Sequence, residues 1–391
     1  MNPNAKKTQR VNVNHFLFFF ELFLAAAFFL ILPLRSISIR HMIVLAGSIG
    51  LYLIAFTRLI SSRIRAVEFV CLSLILVVLL FGLLLGQGRV SFDLIYNSLN
   101  YLSFLIIFFT ENNFSLDERI EKTILSAAII MTLAMVVARF SPSAFLFEDG
   151  RSNGALALGM TNSNMTGMMI FAVYSLVLVY YRKNKKQLHL LPVLALLLYF
   201  LLLTRARSCI ISAVIVTVYA LLFSHVKVPK AVVVLVVFVP ILFVPIYLRL
   251  YESGFTYNLI MGKTLYSGRQ YTYLSYLRLL RYHYQLFLGN LKEVGFSNAH
   301  NAPLSIFLST GLIGAGAAYF CFIRKLLRLC DEANTDDAHV AIVCLLSFFI
   351  QSSAEALMFT GYYTCSIFVY IFLLITGSQE IDEEEEAAAS D

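Results

Sequence analysis

The 391-residue chain is a succession of long apolar runs separated by short polar breaks. A helix rises 1.5 Å per residue, so it takes ~20 apolar residues to cross a hydrocarbon layer ~30 Å thick. Runs of about that length are predicted at 16–34, 41–57, 67–86, 92–110, 120–139, 163–181, 188–203, 208–223, 230–248, 301–323, 338–356 and 359–377. The pattern predicts an all-α polytopic membrane protein of about twelve transmembrane helices. The seventh and eighth runs are marginal in length. They read as a hairpin around Thr204–Arg207 that reaches the far surface only when tilted. Together the runs leave no room for a separate soluble domain, so residues 1–391 are expected to form one integral membrane domain. Lys6, Lys7 and Arg10 before the first run resemble a signal peptide. The run ends at Pro33-Leu34-Arg35 without a small-residue cleavage site and is expected to stay as the first span. Neither a fixed-period nor an inverted repeat is visible.

Composition excludes a soluble enzyme. With 59% hydrophobic residues, 34 Phe and 14% charged residues, polar surface is too scarce to cover a water-exposed core. The net charge of +7 resides in loops rather than on a soluble module, which argues against a nucleic-acid partner. The six cysteines lie in or beside apolar runs without C-x-x-C spacing and read as packing residues.

Lysine and arginine set the expected orientation. With the N-terminus inside, the inner segments carry Lys6, Lys7, Arg10, Arg58, Arg63, Arg65, Arg119, Lys122, Arg182, Lys183, Lys185, Lys186, Lys227, Lys230, Arg324, Lys325 and Arg328. The short outer segments carry fewer than half as many, from Arg35 to Arg207, so both termini are expected on the cytoplasmic side. The acidic tail 378–391 suits a solvated end. Two outer segments are long, Ser141–Asn162 and residues 249–300. In the second, Tyr271, Tyr273, Leu274, Leu277, Leu280, Tyr284 and Phe287 form an apolar face, with Arg278 and Arg281 three residues apart. This pattern predicts an amphipathic helix lying on the outer leaflet or packed on the bundle.

Polar groups with chemical potential converge on that outer side. Thr204-Arg205-Ala206-Arg207-Ser208 puts two guanidiniums at a membrane junction, where charge is costly and is kept for a partner, a substrate or headgroup phosphate. Ser267-Gly268-Arg269-Gln270 opens the amphipathic segment with a flexible backbone beside a two-pronged cation. His300-Asn301 closes the loop as the next span begins, either as a helix cap or as a proton acceptor with Asn301 orienting the ring or a sugar. Glu355, near the outer end of the eleventh run, is a candidate to hold an arginine or orient His300. Arg205, Arg278 and Arg281 are further candidates for substrate contact. Together these groups suit transfer from a diphosphate leaving group to a hydroxyl, with Arg207 and Arg269 on the diphosphate and His300 as general base. No Asp-x-Asp or His-Cys cluster points to a metal, and no cofactor is expected.

At these residues the chain resembles the O-antigen ligase and Wzy-type polysaccharide polymerase superfamily. The likeness lies in motif order over roughly residues 155–320: Thr161-Asn162-Ser163-Asn164-Met165-Thr166-Gly167, then Thr204 to Ser208, Gly268-Arg269, and His300-Asn301 with Gly311-x-x-Gly314. The resemblance implies a GT-C-like, inverting glycosyltransferase of the bacterial plasma membrane. Its donor would be an undecaprenyl-diphosphate-linked oligosaccharide on the outer leaflet, and its acceptor a glycan. Membrane lipids, a chain-length regulator and a flippase of the same pathway are the implied partners. By the same likeness Asn162 and Asn164 belong to the substrate site. The chain departs from many relatives in having no Trp, and in placing Arg205 beside Arg207. Polymerase is the favoured reading over ligase-type transfer of finished glycan. A flippase or other secondary transporter would need polar groups along the midplane, where Glu21, Asn97, Asn100 and, nearer the outer end, Glu355 are the few candidates. A structural scaffold of an export complex would leave the outer arginines without a role.

Overall fold

The computed structural model describes residues 3–32, 37–85, 89–111, 116–147, 154–160, 162–183, 187–255, 266, 268–296, 299–355 and 359–377. The acidic tail, Arg35, Ser267 and part of the 249–300 loop lie outside them. The described chain is helical apart from a two-stranded antiparallel ribbon, β1 (Phe145–Leu146) and β2 (Ala155–Leu156). Every predicted run coincides with a helix. In order these are α1 (Pro3–Leu30), α2 (Ile37–Ser61), α3 (Ala66–Leu85), α4 (Phe92–Phe109), α5 (Glu118–Arg139), α6 (Ser163–Lys183), α7 (Leu190–Thr204), α8 (Arg207–Val218) and α9 (Lys230–Glu252). After three short helices come α13 (Ala302–Glu332), α14 (Asp336–Ser352) and α15 (Tyr363–Gly377).

Seven helices among the described residues are long and apolar enough to cross a membrane, namely the principal parts of α2, α3, α4, α5, α6, α9 and α13. Four further apolar stretches, in α1, α7, α8 with its π-helical turn, and α15, are shorter. The exposed surface of the long helices is what lipid requires and water would penalise: Leu84 is 75% and Leu235 62% exposed. The chain is thus a multi-pass membrane protein. α6, α14 and α15 form its centre, whereas α3 and α9 turn much of their apolar surface outward.

One end of the bundle is laced with ion pairs. Arg182 donates to Asp336 at 2.8 Å, Lys183 pairs with Glu121, Lys230 with Asp331 at 2.9 Å, and Arg65 and Arg328 converge on Glu111. These residues come from connections that the charge bias assigns to a single side, and the fold gathers them there. At the same end the π-helical turn Tyr219–Phe223 closes α8, and Ser224 accepts from Arg182 and donates to Asp336.

At the opposite end α7 is short, as the marginal length of its run led one to expect: fifteen residues span only about 22 Å, less than a ~30 Å layer. Two features there depart from expectation. The predicted amphipathic helix is instead three short ones, α10 (Arg269–Leu277), α11 (His283–Leu288) and α12 (Leu291–Val294). The Gln285 side chain accepts the N–H groups of Arg281 and Tyr282, and Asn290 donates to the Leu279 carbonyl, so side chains satisfy backbone that a continuous helix would have paired. The single aromatic face is therefore divided: Tyr273 is buried, whereas Tyr271, Tyr284 and Phe287 are exposed. Finally, α14 ends at Ser352, so Glu355 stands in the connection to α15 rather than in a span.

α13 is itself kinked. Gly311 has non-helical angles (φ 63°, ψ −170°), and the end of α11 packs into the break. A methyl group on Gly311 would lie 2.2 Å from the Phe287 carbonyl carbon, and one on Gly289 would lie 2.4 Å from that of Ser309. The Asn290 N–H donates to the Leu308 carbonyl across this contact at 2.7 Å. Two backbones touch here because neither residue has a β-carbon. Gly289→Ala is expected to cost more than ~2 kcal/mol, since it adds both a backbone clash and strain at φ 76°. Gly316→Ala, with nothing within 4 Å, should be neutral or stabilising by up to about 1 kcal/mol. Thermal midpoints of the two variants in one detergent check the contrast.

Candidate active site

The end of the bundle opposite the ion-pair lattice collects most of the predicted site residues around one carboxylate. Glu355 follows α14, where its N–H and that of Ala354 both donate to the Gln351 carbonyl and turn the chain. Its side chain is 1% exposed. Four donors from three parts of the chain surround it. Asn164 donates to Oε1 at 2.9 Å and Asn162 at 3.5 Å, Arg269 Nη2 stands 3.6 Å from the same oxygen, and His300 Nδ1 lies 3.3 Å from Oε2. Burial alone would push the Glu355 carboxyl up. The hydrogen bond and charge of His300, the charge of Arg269 and the Asn164 bond outweigh that effect and hold it below the ordinary value. Glu355 is thus the common acceptor of the cluster, with His300 Nδ1 facing its Oε2.

Local sequence explains each position. At the start of α6 the Asn162 carboxamide oxygen accepts the Asn164 N–H at 2.8 Å, which aims both amides at the carboxylate. At the α7–α8 corner the Thr204 hydroxyl accepts the Ala206 N–H, Arg205 takes a left-handed conformation (φ 56°), and Arg207 becomes the first residue of α8. Gly268 (φ 80°) turns the chain into α10 so that Arg269 starts the helix. An aromatic group fixes that start: the Tyr247 ring of α9 packs edge-on against Tyr266 and Tyr273, and its hydroxyl donates to the Tyr266 carbonyl. The Tyr273 hydroxyl in turn faces the His300 carbonyl at 3.4 Å.

His300 occupies a left-handed conformation (φ 53°), which costs a non-glycine residue of order 1–3 kcal/mol and is retained only where surroundings enforce it. Asn301 supplies much of that enforcement. Fully buried, it caps α13 by accepting the Leu304 N–H at 2.8 Å and donates to the carbonyls of Pro240 and Ser353. All of its bonds go to backbone, so it orients His300 by fixing the chain and presents no amide to a sugar. The imidazole remains 31% exposed.

The structure brings together His300, Arg269, Arg207, Asn162, Asn164 and Glu355. Arg207 and Arg269 are close enough to repel each other, with Tyr247 acting on both. Arg205 is set apart: among the described residues its guanidinium makes no hydrogen bond or ion pair, and it takes no part in the Arg207–Arg269 interaction. Arg278 and Arg281 are exposed beyond the end of α10, and neither is among the groups that contact Glu355. Sequence reading missed Tyr247 as a site residue and treated Tyr273 only as apolar surface. Nothing in a hydrophobic run distinguishes a tyrosine that braces an arginine from one that faces lipid.

The chain matches no protein-family model, no curated protein and no solved structure.

Because Asn301 bonds only to backbone, Asn301→Ala is expected to lower stability by about 2–4 kcal/mol through loss of a cap and two buried bonds. Asn301→Asp should be at least as damaging, since an oxygen would then face two carbonyls. Thermal unfolding in detergent measures both; an unshifted midpoint with lost activity would instead place the amide on substrate.

Proposed function

We propose that this protein is a membrane glycosyltransferase that moves a lipid-diphosphate-linked oligosaccharide onto a glycan hydroxyl. The observation that carries the reading is one buried carboxylate, Glu355, faced by His300 on one oxygen and by Arg269 on the other, with Arg207 in electrostatic reach of Arg269. A diphosphate ester supplies the dianion that two adjacent guanidiniums require, and an alcohol supplies the proton that a neutral imidazole accepts. The acceptor oxygen bonds to the anomeric carbon of the donor sugar, its proton passes to His300, and the bond from that carbon to the diphosphate oxygen breaks. The departing electron pair settles on the diphosphate, where Arg207 and Arg269 stabilise it. Attack opposite the leaving group inverts the anomeric centre.

The motif resemblance to O-antigen ligases and Wzy-type polymerases supports the same reading, as does the gathering of the basic connections at the other end. We take that other end as cytoplasmic, with about twelve spans of GT-C-like arrangement in a bacterial plasma membrane. The site then opens on the outer leaflet, where a lipid-linked donor delivered by a flippase is within reach. Polymerisation of repeat units is the favoured outcome, and a chain-length regulator is the expected partner.

The size profile of lipid-linked glycan in cells tests this directly. His300→Ala is expected to cut transfer by about 10²–10⁴-fold and collapse a ladder to single repeats on the outer leaflet. A ladder that persists on its lipid carrier but no longer reaches a final acceptor would make the protein a ligase. Repeats trapped on the inner leaflet would make it a flippase. Arg207→Lys and Arg269→Lys should each lose about tenfold or more, because an ammonium does not grip two oxygens at once. Wild-type activity in both lysine variants would leave the arginines as headgroup anchors.

A further inference from the structure

Glu355 carries one negative charge and faces two groups that can hold a positive one. Arg269 Nη2 stands 3.6 Å from its Oε1 and His300 Nδ1 stands 3.3 Å from its Oε2, while the two asparagine amides complete its shell. At 1% exposure the carboxylate is little screened by water, so a change in one of these partners is felt by the other. The Arg269 contact is the longest of the four, and Arg269 is at the same time repelled by Arg207. The guanidinium is thus divided between Glu355 and any anion that settles beside Arg207.

We propose that Glu355 is a positioning residue that couples the two halves of the site: a diphosphate held by Arg207 and Arg269 draws Arg269 off the carboxylate, and the carboxylate charge then stabilises a proton on His300. The inference rests on the reading of His300 as the base and of the arginines as the diphosphate site. It adds an order to the reaction. With the arginine pair empty, Arg269 neutralises Glu355, and His300 is the weaker base. With the donor bound, His300 becomes able to keep the proton of the acceptor hydroxyl. The acceptor is therefore activated only when a sugar is present to receive it, which protects against unproductive proton transfer at an empty site.

The titratable and charged groups that bear on this centre are Arg207 from α8, Tyr247 from α9, Arg269 and Tyr273 from α10, and Glu355 itself, with the Cys209 and Cys365 thiols within electrostatic reach of the carboxylate. Positive charge at the arginine pair and negative charge at Glu355 act on the His300 ring in opposite senses. An incoming anion reverses the first effect and, by releasing Arg269, strengthens the second. Replacing Glu355 separates the two contributions.

The test uses the full-length protein in detergent and a P1,P2-dimethyl diphosphate diester, a dianion with no titrating group near neutrality. Binding is followed by calorimetry, and proton uptake by a pH indicator in weakly buffered solution. Wild type is expected to take up a fraction of a proton per anion bound, and to bind about fivefold or more weakly at pH 8 than at pH 6, since the favoured state is the protonated one. His300→Gln should bind the anion without uptake. Glu355→Gln should bind at least as well, because Arg269 is freed, with less than half the wild-type uptake. Glu355→Asp, which keeps the charge, should restore part of the uptake and guards against a folding defect in the glutamine variant. Binding without uptake in wild type, or full uptake in Glu355→Gln, overturns the coupling and leaves the anion site standing. If wild type and Arg207→Ala alike fail to bind the diester, the diphosphate reading fails and the coupling with it.

Discussion

A carboxylate buried beside a membrane bundle has to be compensated, and the compensation of Glu355 organises one whole end of this protein. An isolated ionised carboxyl in a low-dielectric setting costs several kcal/mol or more, and four donors converge to offset it. Those donors begin α6, begin α10 and precede α13, the first of them more than a hundred residues before the other two in the chain. None of them can move far without stripping the anion of a partner. The charge acts as a register mark that fixes three helix termini against the end of α14.

Around that mark the fold uses irregular backbone where regular spans would be too blunt. A fifteen-residue α7 stops short of full membrane depth and turns at Thr204, so that α8 begins with Arg207. The break in α13 at Gly311 admits the end of α11, which ties the long connection between α9 and α13 to the bundle. Left-handed residues at Arg205, Gly268 and His300 then set the direction in which three cationic or basic side chains leave the chain. Irregular backbone here is tolerable only because protein covers it, and Asn301 shows how: its buried amide donates to carbonyls of α9 and of the turn after α14.

The two ends treat charge differently. At the basic end most cations have a carboxylate within ion-pair reach, and the resulting lattice holds helix termini together. At the site Arg269 faces the one carboxylate and feels the positive charge of Arg207.

The hydrophobic pattern by itself determined that this is a multi-pass helical protein, where its helices fall, and which connections share an end. Those properties follow from length and polarity summed over some twenty residues, which no packing detail can override. Residues that the motif order grouped also lie together in the fold: His300, Arg269 and the paired asparagines surround Glu355, with Arg207 near Arg269. What the sequence could not supply was the role of each. Periodicity continued a helix through Arg278 and Arg281, and only the competition of Gln285 and Asn290 for backbone groups shows that it breaks. Asn301 looked available to a sugar until three backbone partners claimed it. The neighbouring arginines 205 and 207 are equivalent in one dimension, and the left-handed turn between α7 and α8 is what separates them. Glu355 gained its central place because contacts across long sequence separations are decided by tertiary packing, where a single buried charge selects its partners by distance.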